Sequence, residues 1–222
     1  MKPSDSIATA VIERPTAVLG EWAGTDTAMA ARSRRSVRSY SGEPIDDETV
    51  TELLTLTGRA PSAFNLQPWR FVVVRSADTR AALGAAAYGQ KQITGAPVVI
   101  ALYADMEDTL QHLGEVVHPD LTPEKRADTI AMLERTFGGM SVEARGVWAN
   151  AQSNIALGYL LLLARAQGLD TSPMLGFEAP KVKALLGIPE HATVTALVSL
   201  GHGAEEGFVS HRHDVERITR VL

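Results

Sequence analysis

A short arginine-rich segment, Arg34-Arg35-Ser36-Val37-Arg38, is the first stretch whose residue types suggest chemistry. In an extended chain alternate side chains point to the same side, so Arg34, Ser36 and Arg38 would converge on one ligand. A phosphate monoester dianion fits, because guanidinium groups bind its oxygens bidentately and a serine hydroxyl adds another donor. Two alternatives stay open: a solvated basic patch, the commoner outcome for such a run alone, and a nucleic-acid contact. The net charge of −5 and the absence of interleaved aromatic residues argue against nucleic acid.

A loop bracketed by Pro61 and Pro68 is the second such stretch. The two prolines prevent the preceding helix from continuing and predict a rigid loop that displays Ser62, Asn65 and Gln67. Amide side chains both donate and accept hydrogen bonds, which suits the pyrimidine-like edge of an isoalloxazine ring. The alternative is an ordinary helix-to-strand turn in which the asparagine and glutamine close their own backbone.

The composition limits how redox chemistry could arise in this chain. It has 222 residues and no cysteine, which excludes disulfides, thiolate catalysis and thiolate metal sites. Two-electron chemistry would therefore need a bound cofactor. No metal site is predicted, because the six histidines lack zinc-binding spacing and the pair His211 and His213, near His202, has no clear carboxylate partner.

The first residues and the longest apolar stretch predict a cytoplasmic protein without a membrane span. An apolar signal region is interrupted by Glu13, Arg14 and Pro15. Residues 155–164 form an apolar run only about half as long as the roughly 20 residues that cross a bilayer.

The elements that must position these groups follow from hydrophobic periodicity. Residues 1–25 are predicted as an arm and residues 26–222 as one domain. The clearest helix covers 141–167, and its residues 155–163 are apolar nearly all round. Such a helix must be covered on every side, which in a small chain favours a partner subunit. The remaining predictions are helices at 26–34, 77–87, 106–117 and 123–137, a helix capped by Asp46, strands at 69–75, 98–104 and 193–200, and an extended piece near 207–211. Few strands among many helices predict an α+β fold.

The two motifs together, R-R-S-V-R and, about 23 residues later, A-P-S-A-x-N-x-Q-P-W-R-F, resemble the signature of the FMN-dependent nitroreductase family. Residues 168–177 are similar to the family's turn beside the flavin ring, and residues 185–189 and 198–202 to its closing helix and strand. The resemblance covers about residues 30–215.

This resemblance implies a mainly antiparallel central sheet flanked by helices, in an intertwined homodimer with a long central interface helix and FMN sites lined by both subunits. It assigns five groups to FMN: Arg34, Arg35, Ser36 and Arg38 at the phosphate and ribityl chain; Pro61, Ser62, Ala63, Asn65 and Gln67 from the other subunit; Gln90 or Lys91 at the O2/N3 edge; Pro173, Met174, Leu175 and Gly176 against the ring; and Arg212 on the phosphate.

The resemblance also implies a reaction. NAD(P)H would reduce the flavin at N5 and a small electrophilic acceptor, such as a nitroaromatic or quinone, would then use the same site in a ping-pong mechanism. No side chain is predicted to be catalytic, since flavin N5 performs the chemistry. Alternatives within the same fold are reductive dehalogenation, enal or semialdehyde reduction and flavin fragmentation; a flavin-storing protein and a basic-arm interaction module are alternatives of other classes.

Some positions depart from the family pattern. Leu175 stands where some relatives carry an acidic residue, so only a backbone contact to N5 is expected there. His211 or His213 could replace Arg212 at the phosphate. Phe64, at the loop tip, is predicted either to stack on substrate or to lie in the core. Residues 105–140, termed the lid segment, are predicted to form a lid on the substrate side.

Overall fold

A four-stranded antiparallel sheet forms the centre of the molecule. The computed structural model describes residues 26–222, so the arm predicted over residues 1–25 lies outside the described residues. The strands are β1 (Trp69–Val74), β2 (Val98–Ala104), β3 (Asp170–Met174) and β4 (Thr193–Gly201). They lie in the order β1-β2-β4-β3, and every neighbouring pair is antiparallel. The predicted α+β class with an antiparallel sheet is confirmed.

The two central strands are buried on both faces, which explains their nearly continuous apolar sequence. Along β2, Val98 and Ile100 pack into one hydrophobic cluster, whereas Val99 and Ala101 pack into another on the opposite face. This alternation follows from the two-residue period of a strand. The sheet therefore needs helices on both faces.

The helices form the two outer layers and the lid segment. They are α1 (Thr27–Ser33), α2 (Asp47–Thr57), α3 (Ala77–Ala86), α4 (Lys91–Gly95), α5 (Met106–Gln111), α6 (Leu113–Val116), α7 (Pro123–Gly138), α8 (Val142–Ala166), α9 (Ala179–Leu186) and α10 (Val215–Ile218). Helices α2 and α8 cover one face of the sheet, and α3 and α9 cover the other. Among the described residues, no helix combines the length and apolarity needed to cross a membrane.

The long helix α8 confirms the predicted helix at 141–167. Ser141 caps its first turn by accepting the Ala144 N–H, and Gly168 follows its end with φ of +79°. Its side chains toward the sheet are mostly small, with Gly146, Ala149 and Ser153 all buried. Small residues let the helix lie close to the strands beneath it.

Two local predictions were wrong. Residues 168–177 were expected as a turn, but Asp170–Met174 forms the edge strand β3, hydrogen-bonded to β4. Its polar sequence with Pro173 lacks the usual strand signal, and an edge strand tolerates proline because one side needs no partner. The helix expected at 106–117 divides at His112 into α5 and α6. Residues 207–211, predicted as an extended piece, belong to no strand of the sheet.

Candidate functional site

The arginine-rich segment runs alongside β3 in an extended conformation. Ser36 forms a parallel bridge with Thr171, and the Val37 N–H donates to the Thr171 carbonyl at 3.0 Å. Val37 is buried while Ser36 and Arg38 turn outward, as the strand period predicts. Edge strand β3 thus fixes which side chains of the segment face outward.

Three of the predicted phosphate ligands line one cavity. A cavity of about 220 Å³ is lined by Ser36, Arg38, Phe208, Val209, Ser210 and Arg212, and we term it the arginine cleft. The prediction that Arg212 lies near the Arg34–Arg38 segment rested only on the resemblance, and the structure brings these residues together across more than 170 positions of sequence.

Arg34 lies beside the arginine cleft and increases its positive charge. Burial lowers the pKa of Arg34, and the nearby guanidinium groups of Arg212 and Arg35 lower it further. Repulsion between these like charges destabilises the protein when no ligand is bound. A bound anion would relieve it, so the donor set fits a phosphate group.

Arg35 points away from the arginine cleft. Its Nη1 donates to the carbonyl oxygens of Arg32 and Arg34, at the end of α1. The side chain lines a different cavity of about 540 Å³ that also contains Arg165 and Asp170. In the single chain the guanidinium of Arg35 therefore lies outside the residues that line the arginine cleft.

The C-terminal segment closes over the arginine-rich segment at Gly207. This glycine has φ of +69°, and a Cβ there would lie 3.0 Å from the Arg35 Cβ and 3.1 Å from the Ser36 carbonyl oxygen. Only glycine allows this close approach. Nearby, the Glu205 carboxylate accepts the Arg38 backbone N–H at 2.9 Å. Glu205 thus secures the backbone of Arg38 and leaves its guanidinium available.

The predicted amide loop, residues 61–67, is compact and tightly bonded. Ala63–Asn65 form a single 3₁₀ turn. The Ser62 hydroxyl accepts the Gln67 backbone N–H at 2.9 Å, and the Gln67 side-chain Nε2 donates to the Asn65 carbonyl at 3.2 Å. The alternative interpretation, in which Asn65 and Gln67 close their own backbone, therefore holds for the Gln67 side chain and not for that of Asn65.

Asn65 and Phe64 connect the amide loop to the lid segment. Asn65 Nδ2 donates to the Val116 carbonyl at 3.1 Å. The Phe64 ring contacts buried Phe137 edge to face, with centroids 6.4 Å apart, yet Phe64 remains 54% exposed. Phe64 is therefore not a core residue in the single chain, and most of its ring is accessible to a ligand.

A direct hydrogen bond joins the two segments expected at the flavin ring. Gln90 Nε2 donates to the Gly176 carbonyl at 2.8 Å, and Gln90 Oε1 accepts from Gln92. Leu175 is 73% exposed beside this bond, and Lys91 is exposed at the start of α4. Of the two candidates, Lys91 is the more exposed.

The two motifs line different cavities of the single chain. Gln67 and Leu66 of the amide loop line a cavity of about 610 Å³ together with lid residues such as Asp108 and His112. The arginine cleft lies among the C-terminal residues instead. One chain alone does not join the motifs.

Comparison with known proteins identifies the family of this chain. The nitroreductase family model matches residues 31–202, most of the described chain. This chain belongs to the nitroreductase family. It is 51% identical, over 87% of its length and 94% of the relative's, to a Thermus thermophilus protein named NADH dehydrogenase. A nitroreductase-assigned protein of Exiguobacterium sibiricum, solved in complex with FMN, superposes with a TM-score of 0.82 and 28% identity, covering 90% of this chain and 98% of that one.

Two residues that support this nitroreductase site were not predicted. Glu205 orients the backbone of Arg38, and Gln152 of α8 accepts the Ala63 N–H. Both act across large sequence separations through a single hydrogen bond. No local pattern in the sequence indicates such contacts.

Proposed function

We propose that the chain is a homodimeric FMN enzyme that passes electrons from NAD(P)H to a small electrophilic acceptor. One observation carries the proposal: a cleft lined by Ser36, Arg38 and Arg212, with Arg34 beside it, whose cations lack carboxylate partners. Among residues 26–222, no ion pair involves Arg34, Arg38 or Arg212. Cations left in this state are typical of an anion-binding site.

Family membership fixes the enzyme class. The chain is an NAD(P)H-dependent oxidoreductase with FMN as its cofactor, as the names of its relatives and the FMN complex of a structural neighbour support. When bound, FMN supplies the two-electron chemistry, and the successive use of one site by NAD(P)H and acceptor gives ping-pong kinetics.

The residues of this chain hold and orient the cofactor at two ends. We assign the phosphate to Arg34, Ser36, Arg38 and Arg212, which supply charge-assisted hydrogen bonds. Lys91 would place positive charge at the O2/N1 edge of the ring, where negative charge accumulates on reduction. Gln90 holds the 173–176 segment next to Lys91 through its bond to the Gly176 carbonyl. The exposed backbone near Leu175 would then face the ring.

A second copy of the chain would complete the site. Helix α8 leaves Val147, Ile155 and Tyr159 exposed, and the C-terminal segment leaves Phe208 86% exposed. Several large apolar side chains left exposed on one helix favour a protein interface. We propose that a partner subunit covers them and brings its amide loop to the FMN held in the arginine cleft. The protein would then sediment as a dimer.

Phe64 is the proposed contact for the acceptor. Its ring is presented at the loop tip and supported edge to face by Phe137. An aromatic face exposed in this way favours planar electrophiles such as quinones and nitroaromatics. The lid segment would cover the same side, and we retain the cytoplasm as the predicted compartment.

The test is a spectrum of the purified protein followed by anaerobic titration with NADH or NADPH. We expect flavin absorption that bleaches within seconds and returns when a quinone or nitroaromatic is added. A protein that stays yellow under NAD(P)H would instead be a flavin-storing protein. A colourless protein that cannot be reconstituted with FMN would refute the proposed function.

A further inference from the structure

The amide loop adopts a backbone conformation that its own residues disfavour. Phe64, Asn65 and Gln67 have φ of +56°, +57° and +45°, in the left-handed region. None of them is glycine, and this region is unfavourable for Phe64 and Gln67, whereas asparagine adopts it more readily than most other residues. The loop must therefore be held in place by contacts that offset this strain.

One such contact comes from the middle of α8. Gln152 Oε1 accepts the Ala63 backbone N–H at 2.9 Å, across 89 positions of sequence. Ala63 begins the 3₁₀ turn, where Ser62 occupies the N-cap position but makes no side-chain capping bond. The Ser62 hydroxyl accepts from Gln67 instead. Gln152 thus supplies, from outside the loop, the acceptor for the backbone N–H of the first residue of the turn.

The helix that carries Gln152 is well suited to hold a loop in place. Gln152 is half-buried, and its neighbour Ser153 is fully buried against the sheet. Helix α8 packs on α2, β2 and β4, so its backbone has little freedom at this point. A hydrogen bond from α8 therefore fixes the start of the loop relative to the rigid centre of the protein.

We propose that Gln152 is a positioning residue for the FMN site, which it serves by holding the amide loop in its strained conformation. The inference rests on the proposed function, since the loop matters to catalysis only if it contacts FMN. Gln152 itself touches neither cofactor nor substrate in this assignment. Its effect reaches the cofactor through Ala63 and the left-handed residues that follow.

Two substitutions at Gln152, each with a side chain of nearly the same size, distinguish the effect of the hydrogen bond from the effect of packing. Gln152→Met keeps the length of the side chain and removes the acceptor, whereas Gln152→Glu keeps an acceptor oxygen. Gln111→Met, at the exposed end of α5, is the matched control for adding a methionine. Each full-length variant is compared with wild type by hydrogen exchange of the loop amides and by FMN titration.

In Gln152→Met we expect the Ala63 amide hydrogen to exchange with solvent about threefold to tenfold faster than in wild type, because one neutral hydrogen bond is lost. We expect the same variant to bind FMN more weakly by a similar factor. Gln152→Glu should retain wild-type exchange at Ala63, and Gln111→Met should match wild type in both measurements.

Unchanged exchange in Gln152→Met would overturn the assignment of the hydrogen bond. Faster exchange with unchanged FMN affinity would overturn the positioning role while leaving the proposed function intact. A wild-type protein that binds no FMN would refute the proposed function itself, and the positioning role with it. The exchange measurement does not depend on the cofactor, so these failures are distinguishable.

Discussion

The lid segment and the arginine cleft use arginine in opposite ways. In and around the lid, Arg145 and Arg126 each donate several guanidinium hydrogen bonds to acceptors inside the protein. Arg145 of α8 bonds both oxygens of Glu107 and the carbonyls of Phe137 and Met140. Arg126 donates to three backbone carbonyls of the lid segment in the same manner. These arginines hold the structure together and have little capacity left for a ligand.

At the arginine cleft, by contrast, no carboxylate among residues 26–222 forms an ion pair with the guanidinium groups of Arg38 and Arg212. The bond donated by the Arg212 guanidinium goes to the carbonyl of the adjacent residue, His211. The nearby carboxylate of Glu205 accepts the backbone N–H of Arg38 rather than its side chain. The contrast shows that the number of arginines does not mark a ligand site. We propose the arginine cleft as the anion site because no ion pair among residues 26–222 involves its guanidinium groups.

The largest expected effect comes from removing the unpaired charges. Arg34→Ala combined with Arg38→Ala removes charge-assisted hydrogen bonds worth about 1.5–3 kcal/mol each, so FMN should bind about 10²- to 10⁴-fold more weakly. Fluorescence titration of the flavin-free protein measures this loss. Riboflavin, which lacks the phosphate, should lose little affinity.

Arg35→Ala is the matched control for that experiment, because its guanidinium points to the end of α1. Its effect on FMN affinity should be far smaller. If Arg35→Ala weakened FMN binding as much as the double substitution, the distinction between the two faces of the segment would be wrong.

Replacing an arginine that is bonded within the protein should instead lower the stability of the fold and leave FMN affinity nearly unchanged. The side chains of Arg145 and Glu107 are 13% and 25% exposed, so Arg145→Met leaves a largely buried carboxylate without a partner. We expect a loss of about 3 kcal/mol in the free energy of unfolding. Denaturant unfolding measures it, with exposed Arg135→Met of α7 as the control. FMN affinity of the folded variant should change little, and a large loss of FMN affinity without loss of stability would contradict the comparison.

Sequence reasoning recovered the parts of this molecule that depend on local pattern. The helix at 141–167 and the strand at 98–104 follow from apolar periodicity, and the outward turn of Ser36 and Arg38 follows from the two-residue strand period. Edge strand β3 was missed because its pairing with β4 compensates for a polar sequence that contains proline. Pairing of this kind depends on tertiary contacts.

The contacts between distant segments could not be predicted either. Gln152 and Ala63, or Asn65 and Val116, meet only because the sheet and α8 bring them together. The resemblance assigned the whole Arg34–Arg38 segment to the cofactor, and in the single chain the Arg35 guanidinium bonds to the carbonyl oxygens of Arg32 and Arg34. The two-residue period of an extended chain already separates Arg35 from its neighbours, and the structure confirms that separation.

The smallest expected effect lies at the edge of the lid, in the partly exposed pair of Arg70 and Asp108. Hydrogen bonding from Arg70 lowers the pKa of Asp108. A carboxyl group whose pKa is lower in the folded than in the unfolded state stabilises the fold at pH above its unfolded value, about 3.9, and loses that contribution as the pH falls through the folded value. Because both side chains are about one-third or more exposed, solvent screening limits the contribution to at most about 1 kcal/mol.

Asp108→Asn should therefore be slightly less stable than wild type at neutral pH, and the difference should vanish in acid. Thermal unfolding across this range, with exposed Asp128→Asn of α7 as the control, measures it. A difference that grew on acidification would mean that Asp108 is not held by Arg70, and that the arginines around the lid are less completely paired than the comparison requires.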